Sequence, residues 1–271
     1  MTVDVALPTG LTVFDRTTAL TPNPLTPGRF AVRLDEAWSS LRGVHGGYLT
    51  ALLVRAAEAG TDGRAVRTVT VNFLRAGQVG DATITVTPVR AGRLVSVVGL
   101  SLTQDHGEVA TARITATAPT EGTAWDAPVD LGLPPLEACV PNNPPPGIRH
   151  FEHAVVRLDP ASMPFSHQER ARIAGHVRPV ERRPVDAAWL AMLLDWFPPA
   201  TFTRVDPPTG GVSVDLTVHL HRPFRALDDD EWLGGEFEVR HSVGGLALEH
   251  GTIVSPDGHV LGESFHTRFT G

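Results

Sequence analysis

The sequence predicts an α+β protein whose two similar halves each combine one helix with a long antiparallel sheet. Three observations predict this fold class. A ten-residue segment recurs at weak identity, because His45–Val54 and Asp186–Asp195 carry the same spacing of large apolar side chains. Strand-like alternation follows each segment, as at Val69, Val71 and Phe73. A proline-rich stretch without hydrophobic periodicity separates the two halves.

Helices are expected over residues 45–59 and 186–197, because apolar side chains recur there at i, i+3, i+4 and i+7. Both segments are apolar on nearly all sides, most of all Ala187 to Phe197. A helix of this kind has to be surrounded by protein. A long helix wrapped by an antiparallel sheet meets this requirement, and two such units side by side account for the repeat.

Strands are predicted in both halves, with the repeat extending into them because Leu216–Arg222 matches Val69–Arg75. In the first half they lie near residues 29–37, 66–76, 81–90, 93–104 and 108–118. In the second half they lie near residues 149–159, 170–180, 212–224, 232–243, 246–255 and 259–269. Tight turns between strand-like runs are expected at Asp105-His-Gly107 and Pro256-Asp-Gly258.

The boundary between the halves runs over residues 119–147, which hold 8 of the 23 prolines. Proline-rich chain of this kind is extended and covers distance instead of building a core. We therefore predict an N-terminal unit over residues 1–118, a connector over 119–147 and a C-terminal unit over 148–271.

Composition and charge exclude several classes of function. Of the 271 residues, 42% are hydrophobic and 20% are charged, as in an ordinary globular protein. The net charge of −7 and the lack of a basic cluster argue against nucleic acid as a partner. The sequence contains no lysine, which excludes Schiff-base chemistry and a Walker-type phosphate loop.

The remaining composition bears on metals, disulfides and membranes. A single cysteine, Cys139, allows neither an internal disulfide nor a multi-cysteine metal site, and the histidines lack metal-ligand spacing. Neither a secretory signal nor an apolar run of about 18 to 20 residues is found. We therefore expect no metal, no membrane partner and a cytoplasmic location.

Gly46 and Gly47 open the first predicted helix and are candidates for ligand binding. Glycines let the backbone approach a ligand because no Cβ intervenes, and the N–H groups of a first helical turn lack partners within the helix. Aimed at a carbonyl oxygen, these groups would stabilise a developing negative charge. The alternative is that both glycines only permit close helix–sheet packing. For the preceding His45, lining the site and a purely structural role are both open.

Asp195 is the candidate catalytic residue, because it is the only charged residue between Asp186 and Thr203. Loss of hydration raises the pKa of a buried carboxyl group and makes it a better proton acceptor near neutral pH. A buried, unpaired charge is costly, so such a residue usually has a partner or a chemical role. The alternative is a carboxylate that reaches solvent at the end of the helix.

The repeat divides the candidate groups between the two halves. Asp195 corresponds to Val54 in the first half, whereas the glycine pair corresponds to Ala187 and Ala188 in the second. One half therefore offers the glycines without the acid, and the other offers the acid without the glycines. We predict a single composite site at the junction of the halves.

These features resemble the hotdog superfamily, and more narrowly the double-hotdog proteins related to type II acyl-CoA thioesterases. The resemblance is carried by Gly43–Tyr48, by Asp195 late in the second helix, by Ser213–Phe224 and by the terminal hairpin Asp257–His266. It covers nearly the whole chain from about Phe14 onward. It is specific for the fold and less so for activity, because hotdog folds carry thioesterases, dehydratases and non-catalytic members.

The resemblance implies two tandem hotdog repeats and hydrolysis of acyl-CoA to free acid and CoA, an activity of lipid metabolism. The attacking water would be activated by Asp195, with the amides of the Gly46/Gly47 region as the oxyanion hole. No metal or organic cofactor is implied, and acyl-CoA is the expected partner. Because the chain carries its own pair of hotdog units, it could be a monomer, and a further homo-oligomer is left open.

In the related thioesterases, a hydroxyl residue and a glutamine help the aspartate to hold water. The resemblance places Ser213 at the hydroxyl position and His266 at the glutamine position. Histidine is a departure, because imidazole titrates near neutral pH and could compete as the base. Strict alternation puts Ser213 with Asp215 on the polar face, so Ser213 would reach the site only if a bulge re-aims it.

Other functions stay open. An enoyl-CoA hydratase or dehydratase of this fold would need Asp-x4-His on one loop, and the nearest match, Asp215-x3-His219, has the wrong spacing and lies in a strand. A non-catalytic protein that binds acyl thioesters or acts as a scaffold also stays open, because histidine at 266 departs from the expected glutamine. A serine triad of Asp195, Ser213 and His266 is disfavoured, because the chain lacks G-x-S-x-G and has an uncommon residue order.

Overall fold

A computed structural model describes residues 10–120, 125–204, 211–221, 227–228 and 230–270. The α-helices of this part are α1 (Val13–Thr17), α2 (Gly46–Gly60) and α3 (Ala187–Leu193). The strands are β1 (Thr21–Pro22), β2 (Arg29–Leu34), β3 (Ser39–Ser40), β4 (Gly43–Val44), β5 (Ala65–Phe73), β6 (Gly80–Ala91), β7 (Val95–Gln104), β8 (Gly107–Thr117), β9 (Val140–Pro141), β10 (Ala154–Leu158), β11 (Ala171–Pro179), β12 (Val212–Leu220), β13 (Leu233–Val243), β14 (Leu246–Val254) and β15 (Val260–Phe269). Short 3-10 helices span Glu36–Trp38, Leu136–Ala138, Arg149–Glu152, Pro160–Ser162 and Ala200–Thr203.

Most strands of the described residues form one sheet in the order β1-β2-β6-β7-β8-β5-β12-β15-β14-β13-β11-β10-β9. The first half contributes β2-β6-β7-β8-β5, and the second contributes the corresponding strands in the reverse order, β12-β15-β14-β13-β11. In the first half, α2 lies between β2 and β5 along the chain. In the second half, α3 lies between β11 and β12. The halves meet where β5 pairs antiparallel with β12, with Val71 opposite Leu216. These are the two strands that the sequence repeat matched.

Helix α2 confirms the prediction for residues 45–59. It is buried along almost its whole length, and it packs against α3 and the sheet of its own half. Both helices begin one residue after the positions that the repeat aligned, His45 and Asp186. The Asp186 carboxylate accepts the backbone N–H of Trp189, which caps α3.

The prediction of a second long helix over residues 186–197 is wrong, since α3 ends at Leu193. Beyond that point the backbone tightens, because Asp195 N–H donates to the carbonyl of Met192 three residues back. Pro198 and Pro199 then follow and cannot continue a helix. Leu194, Trp196 and Phe197, which suggested a longer helix, are nevertheless buried. Their apolar pattern therefore indicated burial and not helical structure.

The predicted strands are confirmed to within a few residues, with two exceptions. The end of predicted strand 29–37 and the start of predicted strand 149–159 form 3-10 helices, Glu36–Trp38 and Arg149–Glu152. Both predicted turns are present, and Gly107 and Gly258 adopt φ values of +117° and +85° that suit glycine. The last residues of the predicted strand 212–224, including the repeat match at Arg222, lie outside the described residues.

Residues 125–147 of the proline-rich stretch lie on the second half. The regular elements of these residues are the 3-10 helix Leu136–Ala138 and strand β9, which pairs with β10. The backbone N–H of Val129 donates to the carbonyl of Gly258 in the β14–β15 turn. Among the described residues, no helix combines the length and apolar character that a membrane crossing requires.

Candidate active site

Asp195 lies in the turn that follows α3, with only 5% of its surface exposed. Its neighbours Leu194 and Trp196 are fully buried. The alternative of a solvent-exposed carboxylate at a helix end is therefore wrong. Asp195 sits instead between the start of α2 and the inner face of β15.

The two carboxylate oxygens of Asp195 have different surroundings. Oδ1 lies 3.1 Å from Nη2 of Arg268, which donates a hydrogen bond, and 3.3 Å from Nδ1 of His266. Oδ2 lies 3.6 Å from Nε2 of His45 and would lie 3.0 Å from a Cβ placed on Gly46. One oxygen is thus held by β15, and the other faces the start of α2.

The two glycines at the start of α2 lie against different groups. A Cβ on Gly47 would lie 2.7 Å from the carbonyl oxygen of Met192, so the close approach of α2 and α3 requires glycine there. A Cβ on Gly46 would crowd Oδ2 of Asp195 and, at 3.2 Å, the ring of Phe73. Within the described chain, the backbone N–H groups of Gly46 and Gly47 donate to no acceptor, as expected in a first helical turn.

His45 precedes α2 and connects it to the turn that carries Asp195. Its Nε2 donates to the backbone carbonyl of Asp195 at 2.9 Å, which leaves Nδ1 unprotonated. Burial lowers the pKa of His45 to about 4, although the hydrogen bond to this carbonyl acts in the opposite direction. The ring stacks on His150 at a centroid distance of 4.1 Å. His45 is therefore a neutral residue at physiological pH.

His266 is fully buried on β15 beside Asp195. Burial and, secondarily, the Arg268 cation lower its pKa to about 3, against the raising effect of Asp195. The expectation that this imidazole titrates near neutral pH is therefore wrong. Neither of its ring nitrogens makes a hydrogen bond to any described residue, since the 3.3 Å approach to Asp195 lacks hydrogen-bonding geometry.

Ser213 lies on the inner face of the sheet, where strict alternation would not have placed it. The β12–β15 register shifts between Ser213 and Asp215, so Ser213 pairs with Arg268 while Leu216 pairs with His266. Directly opposed residues of an antiparallel pair project from the same face. The bulge therefore turns Ser213 toward the face that carries Arg268 and His266.

The acid–histidine pair considered for a hydratase lies on the other face. Asp215 pairs with Thr267, and His219 pairs with Glu263, both at positions alternate to His266. These side chains project away from Asp195.

Arg268 and Glu249 are buried at the site, and sequence reasoning did not identify them. They are 3% and 1% exposed, and Nε of Arg268 donates to Oε1 of Glu249 at 2.8 Å. Burial alone would lower the pKa of Arg268, but Glu249 and Asp195 outweigh it and raise the pKa. A signal was available: alternation along β15 places Arg268 on the same face as His266, and an inward arginine needs a buried acid.

The antiparallel sheet packed around α2, with Asp195 and its buried neighbours at its inner face, defines a hotdog-fold protein. The fold is similar to that of a putative thioesterase II from Thermobifida fusca YX, at 23% identity and a TM-score of 0.83, with 97% of this chain and 98% of that chain covered. A hotdog-fold protein of unknown function from Alicyclobacillus acidocaldarius is 22% identical with a TM-score of 0.85, and 96% of this chain and 98% of that chain are covered. An acyl-CoA thioesterase II from Mycobacterium marinum is 20% identical with a TM-score of 0.75, and 95% of this chain and 98% of that chain are covered.

Sequence-family comparison is more specific than the fold. Residues 34–117 match the acyl-CoA thioesterase N-terminal domain, and residues 122–269 match the acyl-CoA thioesterase C-terminal domain. The chain therefore belongs to the acyl-CoA thioesterase family, and the resemblance drawn from its motifs is confirmed. A search of curated proteins gives no match.

Proposed function

We propose that this enzyme hydrolyses acyl-CoA at one composite site, with Asp195 as the general base and the amides of Gly46 and Gly47 as the oxyanion hole. The observation that carries the proposal is the approach of Asp195 Oδ2 to Gly46, where a Cβ would lie only 3.0 Å away. A carboxylate from one half thus lies close to the first turn of α2, which comes from the other half. General-base hydrolysis of a thioester requires these two groups side by side.

The reaction follows from this geometry. Asp195 takes a proton from water as the water oxygen bonds to the thioester carbonyl carbon. The carbonyl oxygen becomes negative and is stabilised by the N–H groups at the positive end of α2. The intermediate then collapses with cleavage of the carbon–sulfur bond, and the proton passes from Asp195 to the departing CoA thiolate. The free acid and CoA leave, and Asp195 is ionised again.

His266 and Ser213 are proposed to hold the attacking water. A buried polar atom without a partner is unfavourable, so the free ring nitrogens of His266 favour a water or substrate beside them. As a neutral ring, His266 can donate or accept a hydrogen bond as an amide does. Ser213 would add a hydroxyl from the same face. His45 is proposed to line the substrate side while holding the Asp195 backbone.

The architecture that supports the site is proposed to be a double hotdog. It has one unit over residues 1–118, a connector over 119–147 and a second unit over 148–271. The matching strand orders of the halves favour this division. The equivalent of Asp195 in the first half, Val54, is fully buried in α2 and carries no acid. We therefore expect one active site per chain and not two.

A thiol-release assay with Asp195→Asn tests the mechanism. Short, medium, branched and aromatic acyl-CoAs are supplied to the natural enzyme, to Asp195→Asn and to a matched control, Asp215→Asn, on the opposite face of β12. Loss of a general base costs about 10²- to 10⁴-fold in rate. We expect that loss in Asp195→Asn alone.

Two outcomes would overturn the proposal. Unchanged hydrolysis by Asp195→Asn would remove Asp195 as the base. Tight acyl-CoA binding without thiol release by the natural enzyme would favour a non-catalytic binding protein.

A further inference from the structure

Arg268 and Glu249 form a buried ion pair directly behind Asp195, and the proposed chemistry gives it no role. Arg268 contacts both acids, with Nε 2.8 Å from Glu249 and Nη2 3.1 Å from Asp195. Its side chain is 4% exposed, and those of Glu249 and Asp195 are 1% and 4% exposed. The three charges therefore form one desolvated unit.

The unit is anchored at its far end to the chain that carries Asp195. Oε2 of Glu249 accepts the backbone N–H of Ala200 at 2.7 Å, five residues beyond Asp195. On the near side, the hydroxyl of Ser264 donates to the carbonyl of Leu194 at 3.1 Å. The turn that holds the acid is thus fixed on both sides by side chains from β14 and β15.

Stability alone does not account for this arrangement. A buried ion pair is a weak source of stability, because desolvation of the charges offsets their attraction. An arginine provides direction instead, since its planar guanidinium donates along fixed lines. Here it takes up Oδ1 of Asp195 and leaves Oδ2 toward Gly46.

We propose that Arg268 and Glu249 are a positioning pair: Arg268 holds Oδ1 of Asp195 so that Oδ2 faces the attacking water, and Glu249 balances the charge of the Arg268 guanidinium. This inference rests on the proposed function, because it assumes that Asp195 is the base. Arg268 alone would place an unbalanced cation beside the carboxylate of Asp195. Glu249 shares the guanidinium and offsets part of that charge.

The other titratable groups near Asp195 leave the pair in control of its charge. His45 at the start of α2, His266 on β15 and His150 before β10 all have pKa values lowered by burial. They are neutral at pH 7. Among the described side chains facing Asp195, Arg268 is then the cation and Glu249 the additional anion.

The test is the acid limb of the pH dependence of kcat, measured for Arg268→Gln, Glu249→Gln and the double variant. Removal of the cation is expected to move the limb to higher pH. Removal of the anion is expected to move it to lower pH, and the double variant should lie between the two. Arg268→Lys keeps the charge but not the planar geometry, so its limb should stay near that of the natural enzyme. Because displacement of a catalytic group by about 1 Å costs about 100-fold, Arg268→Gln should lose about that in kcat with a smaller change in KM.

Opposite displacements distinguish positioning from loss of structure, which would lower activity without moving the two limbs in opposite directions. Limbs that stay in place, or that move the same way in both variants, overturn the proposal. Should Arg268→Gln fail to fold, Glu249→Gln decides, since a limb that does not move to lower pH overturns the proposal. Asp195→Asn is measured in parallel: if it is inactive while the limbs stay in place, only the positioning pair fails, whereas an active Asp195→Asn removes the proposed function itself.

Discussion

The carboxylate of Asp195 lies against the backbone of Gly46, although the two residues come from opposite halves of the chain. A Cβ on Gly46 would lie 3.0 Å from Oδ2 of Asp195. His45 completes the junction by donating to the Asp195 carbonyl. The approach of Asp195 to the start of α2 therefore exists only when α2 and the turn after α3 are packed together.

Gly46→Ala is expected to lower activity with little loss of stability. The new methyl group would crowd Oδ2 of Asp195 and the ring of Phe73, so the acid must shift by a few tenths of an ångström. We expect a fall in kcat of up to about 100-fold in the thiol-release assay. Gly99→Ala is the matched control, because its nearest neighbour would lie 3.7 Å away in ordinary contact. Equal activity of the two variants would contradict this role for Gly46.

Gly47→Ala is expected to lower the stability of the fold more than Gly46→Ala does. Its Cβ would meet the Met192 carbonyl oxygen at 2.7 Å, and backbone cannot move aside as a side chain can. The packing of α2 on α3 should therefore loosen, with a loss of about 1 to 3 kcal/mol typical of overpacking. Thermal unfolding of Gly47→Ala beside Gly46→Ala measures the difference. A lower Tm for Gly46→Ala than for Gly47→Ala would reverse our assignment.

Ser213→Ala is expected to reduce kcat modestly, by about tenfold for one lost hydrogen bond to a charged or developing group. Ser213→Thr should stay active, because it keeps the hydroxyl. The control is Thr217→Ala on the other face of β12, where the Thr217 hydroxyl contacts that of Thr70 at the surface. If Ser213→Ala and Thr217→Ala are equally active, Ser213 has no part in the chemistry.

The fold was largely predictable because the sequence repeats a simple period. Alternation fixed the long strands, and the glycine turns at Gly107 and Gly258 fixed two of the hairpins. The end of α3 was not predictable from apolarity, since Leu194 and Trp196 are buried without being helical. Strands β1, β3, β4 and β9 have only two residues each and are too short to show a period.

The site was only partly predictable, because its details depend on registers and partners. The isolation of Asp195 in an apolar run indicated burial, and the repeat indicated that the acid and the glycines meet. No pattern in the sequence of β12 predicts the bulge between Ser213 and Asp215. This bulge turns Ser213 from the outer face of the sheet to the inner face. Alternation along β15 places Arg268 on the same face as His266, but only the pairing of β14 with β15 identifies Glu249 as its partner.

His266→Gln is expected to retain hydrolysis. The ring of His266 is uncharged at neutral pH because its pKa is lowered to about 3, so it can act only through hydrogen bonds and steric contact. A glutamine offers a comparable donor and acceptor. We expect kcat within about tenfold of the natural enzyme, whereas His266→Leu, which removes both ring nitrogens, should lose more. A loss in His266→Gln as large as that in Asp195→Asn would instead indicate that the imidazole is the base.

The enzyme is expected to lose stability in acid because its buried histidines resist protonation. Burial lowers the pKa of His150 from 6.5 to about 2, so between these values the unfolded chain binds a proton that the folded chain does not. Below pH 6.5 the free energy of unfolding therefore decreases as the pH falls, by about 1.4 kcal/mol per pH unit for this residue. Above pH 6.5 His150 causes no such loss. His45 and His266 act in the same direction.

His150→Phe isolates this effect, since it keeps a ring beside Trp196 and His45 but cannot be protonated. Urea unfolding between pH 7 and pH 4.5 should show a shallower decline in the free energy of unfolding for this variant than for the natural enzyme. The difference should approach about 1.4 kcal/mol per pH unit below pH 6. The exposed His106, replaced by glutamine, is the control and should leave the decline unchanged. Parallel declines in His150→Phe and the natural enzyme would show that His150 is not held neutral by burial.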